Sequence, residues 1–391
     1  MPLPASWGLE KALAEIAEIG QFRRPRLLES AQGARVTIDG RTLLNFSSND
    51  YLGLAAHPAV SRALKAAVDT YGVGSGASHL VCGHTSAHEA LEQALARLTG
   101  RSRVLLYSTG YMANLGVASG LLGRQDVLLQ DKLNHASLLD AASISGAKLV
   151  RYRHGDVRHL HDRLAALQPS SQRVLVSSDS VFSMDGDVPD LRMIAACTAQ
   201  AGAALQLDDA HGLGVLGAKG GGACEAHALD EDAVPVLMGT FGKALGTAGA
   251  FVAGSEALIE TLTQKSRTFI YTTAMPPAVA AATCRSIELL TEESWRRTHL
   301  QQLISRFKSK VAEVGLKLMP SDTAIQPLLV GDSSAAVDLS NALLAKGFLV
   351  VAIRPPTVPA GAARLRITLS AAHDENDIDQ LVRALAALVT Q

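Results

Sequence analysis

From about residue 60 onward, amphipathic helical segments alternate with short apolar runs along the chain. The runs are RVLLYS, DVLLQD, KLVRYR, RVLVSSD, ALQLDDA, PVLMGTF and GAFVAG, each bounded by helices or loops. They are continuously apolar rather than alternating, which predicts strands buried on both faces and hence a mostly parallel sheet in an α/β layer architecture. The segment 86–98, SAHEALEQALARL, predicts a helix: Ser86 and Glu89 stand at capping-box spacing, and Leu91, Leu95 and Leu98 share one face. Ahead of this region, residues 9–30 predict an amphipathic helix and a basic turn, QFRRPRLL, followed by a short β segment in ARVTIDGRTLLNF. Near residue 285 the pattern changes. One long charged helix (SIELLTEESWRRTHLQQLISRFKSKVAEVG) leads to IQPLLVG, a helix at 334–346, the strands FLVVAI and RLRITLS, and a final helix from about 374. The expected division is an N-terminal helix and β segment (1–45), a large α/β domain (46–285) and a smaller α+β domain (286–391).

Composition narrows the function without choosing one. The 391 residues carry 36 basic and 37 acidic side chains, a formal net charge of −1, so no overall field favours nucleic acid or an anionic membrane. The N-terminus lacks the basic and apolar regions of a signal peptide, and no run of about 18 apolar residues is present. A soluble cytoplasmic protein is expected. Cys82, Cys197, Cys224 and Cys284 are far apart and form no CxxC, which suits buried thiols in a reducing compartment, and no metal site is expected.

One lysine, Lys243, stands among glycines, small residues and apolar residues in LMGTFGKALGTAGAF. This stretch is not a phosphate-binding P-loop, which needs glycine at 237 and Ser or Thr at 244; the chain has Leu237 and Ala244. GLGVLG at 212–217 matches the dinucleotide pattern GxGxxG, but AKGGGACEAH after it is a poor helix to receive a pyrophosphate. In LQLDDAHG (205–212) a strand ends in acidic residues, where an open α/β sheet meets its ligand. Taken alone, Asp208 is an ordinary turn cap and His211 an ordinary core histidine. Asp208, His211 and Lys243 together, each just past a predicted strand, suit pyridoxal phosphate. A carboxylate beside the pyridine nitrogen keeps it protonated as an electron sink, and a desolvated lysine is partly neutral and nucleophilic. In YSTGYMANLG, Gly110 opens a predicted helix whose N–H groups could hold a phosphate, or it is a plain βα turn. His135, in DKLNHASLLDA, could stack on a planar ring.

These residues fall within a wider resemblance. NFSSNDYLGL, YGVGSGAS, DKLNHASLLDA, VFSMDGD, DDAHGLGVLG, TFGKALG, YTTAMPP and RLRITLSAAH occur in order between residues 45 and 373. Together they resemble the α-oxoamine synthases, homodimeric pyridoxal phosphate enzymes of fold type I that join an amino acid to an acyl thioester with loss of carbon dioxide. The segment AIRPPTVPAGAARLRITLSAAH (352–373) is similar to the branch that uses L-alanine and a pimeloyl group carried by coenzyme A or acyl carrier protein. Members using glycine or serine usually differ there and are the nearest alternative. An oxidoreductase built on GLGVLG is a remote one.

The resemblance implies a role at each matching position. Lys243 binds the cofactor covalently, Asp208 pairs with the pyridinium nitrogen, His211 meets the ring hydroxyl and His135 stacks on the ring. Gly110 and Tyr111 give backbone N–H groups to the phosphate, with Ser183 and Thr240 contributing hydroxyls. Thr272 or Thr273 reaches the phosphate of the neighbouring subunit. Asn49 and Arg366 hold the amino-acid carboxylate, while Arg23, Arg354 and Thr357 face the acyl substrate. For Arg23 and Arg354 the alternative is a solvated surface charge. Asp179 stands where the family pattern leads one to expect glutamate, and no role is assigned to it.

Overall fold

All seven apolar runs become strands of a single sheet. In the computed structural model, which describes residues 4–18, 22–167 and 172–389, the spatial order is Arg103–Tyr107, Ala250–Gly254, Val236–Thr240, Ala204–Asp208, Val174–Asp179, Val127–Asp131 and Lys148–Tyr152. Ala250–Gly254 runs antiparallel to both of its neighbours, and the remaining pairs are parallel. Every residue of Val127–Asp131 and of Ala250–Gly254 is buried, as expected of strands covered by helices on both faces. Lys148–Tyr152 lies at the sheet edge and is the least buried of the seven. Six strands point the same way, so their carboxyl ends form one rim. Gly110, His135, Ser183, Asp208 with His211, and Thr240 with Lys243 all lie on that rim, at or within four residues of a strand end.

Two small sheets lie outside it. Ile325–Gly331, Ala363–Thr368 and Val351–Ile353 form one, with Ala363–Thr368 in the middle. The other joins Arg35–Ile38 and Arg41–Asn45 to Phe348–Leu349. Its hairpin turn is Asp39–Gly40, with φ of 51° and 68°, the left-handed pair that a two-residue turn of this kind requires.

Several expectations shift. The helix Ser86–Thr99 is capped by Thr85, not Ser86, and the reciprocal partner is His88, not Glu89. The His88 imidazole accepts the Thr85 N–H at 3.0 Å, doing what a Glu side chain does in the usual box. The long charged segment is two helices, Pro277–Glu292 and Trp295–Glu313, broken where Glu293 leaves helical geometry (φ −117°, ψ 44°). The break lets the first helix pack on Pro58–Tyr71 and the second on Glu375–Val389. FLVVAI likewise splits at Val350, because Phe348–Leu349 pairs with Arg41–Asn45 and Val351–Ile353 pairs with Ala363–Thr368. Leu9–Glu18 is helical, while residues 19–21 of the predicted helix and turn lie outside the described residues. Cys197 and Cys224 are buried, but Cys82 is exposed, contrary to the expectation of buried thiols throughout. Among the described residues no helix is long and apolar enough to cross a membrane.

Candidate active site

Lys243 lies three residues beyond the strand Val236–Thr240, and its amine meets His211 Nε2 at 2.9 Å. Burial lowers its pKa from the usual lysine range to about 8, against the opposing pull of Asp208 and Asp179. Burial and the neighbouring Lys243 amine push the His211 pKa well down, so its ring is neutral and carries one N–H. An ammonium only donates, so His211 Nε2 accepts from Lys243 and Nδ1 holds the proton. That proton points at Tyr51 Oη, 2.7 Å away, and the Tyr51 hydroxyl in turn donates to Asn49 Oδ1 at 3.2 Å. Arg366 closes the chain: Nη1 donates to Asn49 Oδ1 at 3.1 Å and Nε to the Ser183 carbonyl at 2.5 Å. Two hydrogen-bond arms therefore meet at Asn49 Oδ1, one running from Lys243 through His211 and Tyr51 and the other from Arg366, the group expected to bind a carboxylate.

Asp208 is the last residue of Ala204–Asp208 and is buried. Its Oδ2 accepts from Asn114 Nδ2 at 2.8 Å, and its Oδ1 from the Ala210 N–H at 3.0 Å. Asn114 is fixed in turn by Gln206 Nε2 (2.9 Å), and it donates to Ser137 Oγ (2.8 Å), which lies 2.8 Å from His135 Nδ1. His135 is thereby tied to the same buried network as Asp208. Burial, partly countered by Asp208, lowers its pKa and keeps its ring neutral, as stacking on a cationic heterocycle requires.

Asp179 acquires a position that the sequence did not suggest. It pairs with Asp208 across adjacent parallel strands, and its Oδ2 accepts the His135 backbone N–H at 2.7 Å. Burial and the Asp208 carboxylate raise its pKa well above the usual value, while its Oδ2 orients His135 through the backbone N–H. Tyr51 and Asn114 are not singled out by the sequence, and Asp179 is marked there only as a departure without a role. Tyr51 sat inside a motif already marked by Asn49, and Asp179 ends its strand as Asp208 does.

The geometry fits pyridoxal phosphate. Thr240 Oγ1 is buried with no hydrogen-bond partner, against the amino end of the helix Gly110–Leu121. A Cβ at Gly110 would meet Thr240 Cγ2 at 2.6 Å, so only glycine lets the helix start approach so closely. The first N–H groups of a helix, here those of Gly110 and Tyr111, have no intrahelical acceptor and suit a phosphate. The Tyr111 side chain is turned outward and bonds Asp140. Thr272 is half-buried and Thr273 exposed, and Thr273 forms a bridge with Ser78.

GLGVLG turns out to be packing. Added Cβ atoms at Gly212 and Gly222 would lie 2.1 and 1.9 Å from the Asp209 carboxylate, so the glycines close around a buried acid. The helix after them is only Ala223–Ala226, too short for a dinucleotide site. His79, His84 and His88 bring ring nitrogens within 4.8 Å of one another. Those nitrogens are engaged within the protein: His79 Nδ1 with His84 Nδ1 at 2.8 Å, and His88 with the Thr85 N–H and the Met275 carbonyl.

Arg23, Arg354 and Thr357 lie apart from the Lys243 network, lining a cleft of about 820 Å³ with Phe22, Val351 and Ile353. Val351 stands directly opposite Arg366 in the strand register, so this cleft and the Lys243 network share the strand pair Val351–Ile353 and Ala363–Thr368.

The chain matches the family of class I and II aminotransferases over residues 41–385. It is 55% identical to an 8-amino-7-oxononanoate synthase of Pseudomonas putida, over 99% of this chain and 98% of that one. Among solved structures, a serine palmitoyltransferase from S. paucimobilis with a bound PLP–myriocin aldimine superposes with a TM-score of 0.93 at 30% identity, covering 100% of this chain and 99% of that one. An 8-amino-7-oxononanoate synthase from Francisella tularensis does so with a TM-score of 0.78 at 29% identity, covering 89% and 98%.

Proposed function

The chain belongs to the class I and II aminotransferase family and, within it, to the 8-amino-7-oxononanoate synthases, and on that premise we propose that it condenses L-alanine with a pimeloyl thioester. The products are 8-amino-7-oxononanoate, carbon dioxide and the free thiol, a step of biotin biosynthesis. The observation that carries the reading is the hydrogen-bond network joining Lys243, His211, Tyr51, Asn49 and Arg366. It supports a reading in which the Lys243 amine moves the proton and the Arg366 guanidinium binds the carboxylate of one small amino acid.

Bound pyridoxal phosphate supplies an electron sink conjugated to the Cα of the amino acid. Lys243 would hold the cofactor, and its amine, with a pKa of about 8, is suited to take the proton from the alanine Cα. Asp208 faces the pyridine nitrogen, held by Asn114 and the Ala210 N–H so that its charge cannot turn away. His135 covers the ring. Arg366 receives the alanine carboxylate through its planar fork, with Asn49 fixing the fork's angle. Gly110 and Tyr111 N–H groups and the Thr240 hydroxyl would hold the phosphate, with the Ser183 hydroxyl as a further contact near the cofactor. Thr272 or Thr273 completes the phosphate site of a second copy in a homodimer. Arg354, Thr357 and Arg23 receive the pimeloyl chain in the adjoining cleft, where a guanidinium matches its free carboxylate.

In fold the chain superposes better on serine palmitoyltransferase (TM-score 0.93) than on the Francisella synthase (0.78), but identity is 30% there against 55% for the Pseudomonas synthase. Assaying alanine, glycine and serine against pimeloyl and acetyl thioesters, on coenzyme A and on carrier protein, separates the two. Turnover of alanine with pimeloyl thioester above every other pair is expected. Preference for serine or glycine would overturn the substrate assignment.

A further inference from the structure

His154 has no part in the roles proposed above, yet it connects two loops that do. Its Nδ1 lies 3.0 Å from Asp131 Oδ1 and its Nε2 2.9 Å from Asp187 Oδ2. Both Asp131 oxygens already accept backbone N–H groups, Oδ1 that of Leu133 and Oδ2 that of Gly155, each at 2.8 Å. A carboxylate so engaged only accepts, so Nδ1 donates to Asp131, and with a second carboxylate, Asp187, as the acceptor at Nε2 both imidazole nitrogens donate. We propose that His154 is a positioning residue, a doubly protonated strap that ties the loop bearing His135 to the loop bearing Ser183.

The two ends of the strap lead directly to the site. Asp131 ends the strand Val127–Asp131 and holds the turn that delivers His135 four residues later. Asp187 closes a tight loop on Phe182: the Phe182 N–H donates to the Asp187 carbonyl at 3.0 Å, and the Gly186 N–H to the Phe182 carbonyl at 2.7 Å. That loop presents the Ser183 carbonyl to Arg366 and Asp185 to Arg364. Among the described residues His154 is the sole hydrogen-bond partner of the Asp187 side chain, whose Oδ1 is buried and unpaired. The Phe182 ring packs edge-on to the imidazole, with ring centroids 4.4 Å apart. Burial opposes the imidazolium, but the Asp131 and Asp187 hydrogen bonds outweigh it and raise its pKa to about 10. The strap therefore stays charged throughout the neutral range. Losing it removes the side-chain tie at the Asp187 end of the Ser183 loop, leaving Ser321 and Thr323 on the Gly186 carbonyl, and so loosens the acceptor that aims Arg366, whose role rests on the function proposed above.

Nitrogen-15 NMR of the His154 ring tests the charge state without substrate or cofactor. Both ring nitrogens protonated from pH 6 to 9 are expected, and a neutral ring in that window overturns the proposal. His154→Gln, Asp187→Asn and the double variant test the consequence. Each single substitution should raise KM for alanine about tenfold with kcat changed far less, and the double variant should be no worse than either, because one link is lost in all three. Unchanged KM in singles that keep the wild-type melting temperature, or additive losses in the double variant, contradict it. If the unsubstituted protein turns over no alanine at all, the functional reading fails while the ring measurement still stands or falls by itself.

Discussion

The Lys243 crevice and the arginine cleft lie against the same strand pair but are built differently. In the crevice Asp208, Asp179 and His211 are buried, and Asn114, Tyr51, Ser137 and the backbone fix the groups in place. The cleft is walled by Arg23, Phe22 and Arg24, exposed residues of the N-terminal segment, and by the end of a short strand. Burial and mutual hydrogen bonding shift pKa values and hold geometry, which is what bond-making needs. A charged, open wall selects a chain by its terminal group and its length and moves no protons. The crevice should thus govern chemistry, and the cleft should govern which acyl thioester is accepted.

Substitutions can separate the two. The largest expected effect is from Asp208→Asn, which keeps the shape but removes the charge opposite the pyridine nitrogen. The loss of a partner worth about 1–3 pKa units should lower kcat by roughly 10²-fold or more, read by product formation under saturating cofactor. Next, Arg366→Ala and Arg354→Ala should divide cleanly. The first should raise KM for alanine by roughly tenfold to a hundredfold, and the second should raise KM for the pimeloyl thioester by about tenfold while sparing alanine. If both variants raised the same KM, the two regions would not have separate tasks. A smaller effect is set by pH. Because burial lowers Lys243 to about 8, its amine is neutral above that pH and protonated below it. Capture of pyridoxal phosphate by cofactor-free protein should therefore slow about tenfold per pH unit below 8, followed by the absorbance of the bound cofactor.

The contrast also marks what could be read in the chain beforehand. Continuous apolar runs such as VLLQD and AFVAG lay in the central sheet, because burial on both faces leaves that pattern whatever the neighbours are. Asp208, His211 and Lys243 stood out because strand ends in such a sheet converge. Features that depend on distant partners were not visible. Val350 divides FLVVAI because its two halves pair with strands about 300 residues and about 15 residues away in the chain. Glu293 interrupts a helical pattern without glycine or proline, since the two helices pack on different partners. His88 replaced glutamate in the cap, a substitution no spacing rule anticipates. Asp179 acts through a backbone N–H of His135, which sequence spacing cannot register. The arginine cleft was legible only through the resemblance, because exposed arginines otherwise look like solvated surface.

The central claim is that the Lys243 amine carries the cofactor. Reducing the cofactor-loaded protein with borohydride and mapping the labelled peptide by mass spectrometry addresses it directly. The expected result is a single pyridoxyl adduct on Lys243, within the peptide that also holds Thr240. An adduct on a different lysine, or no adduct in protein that still forms product, would contradict the account.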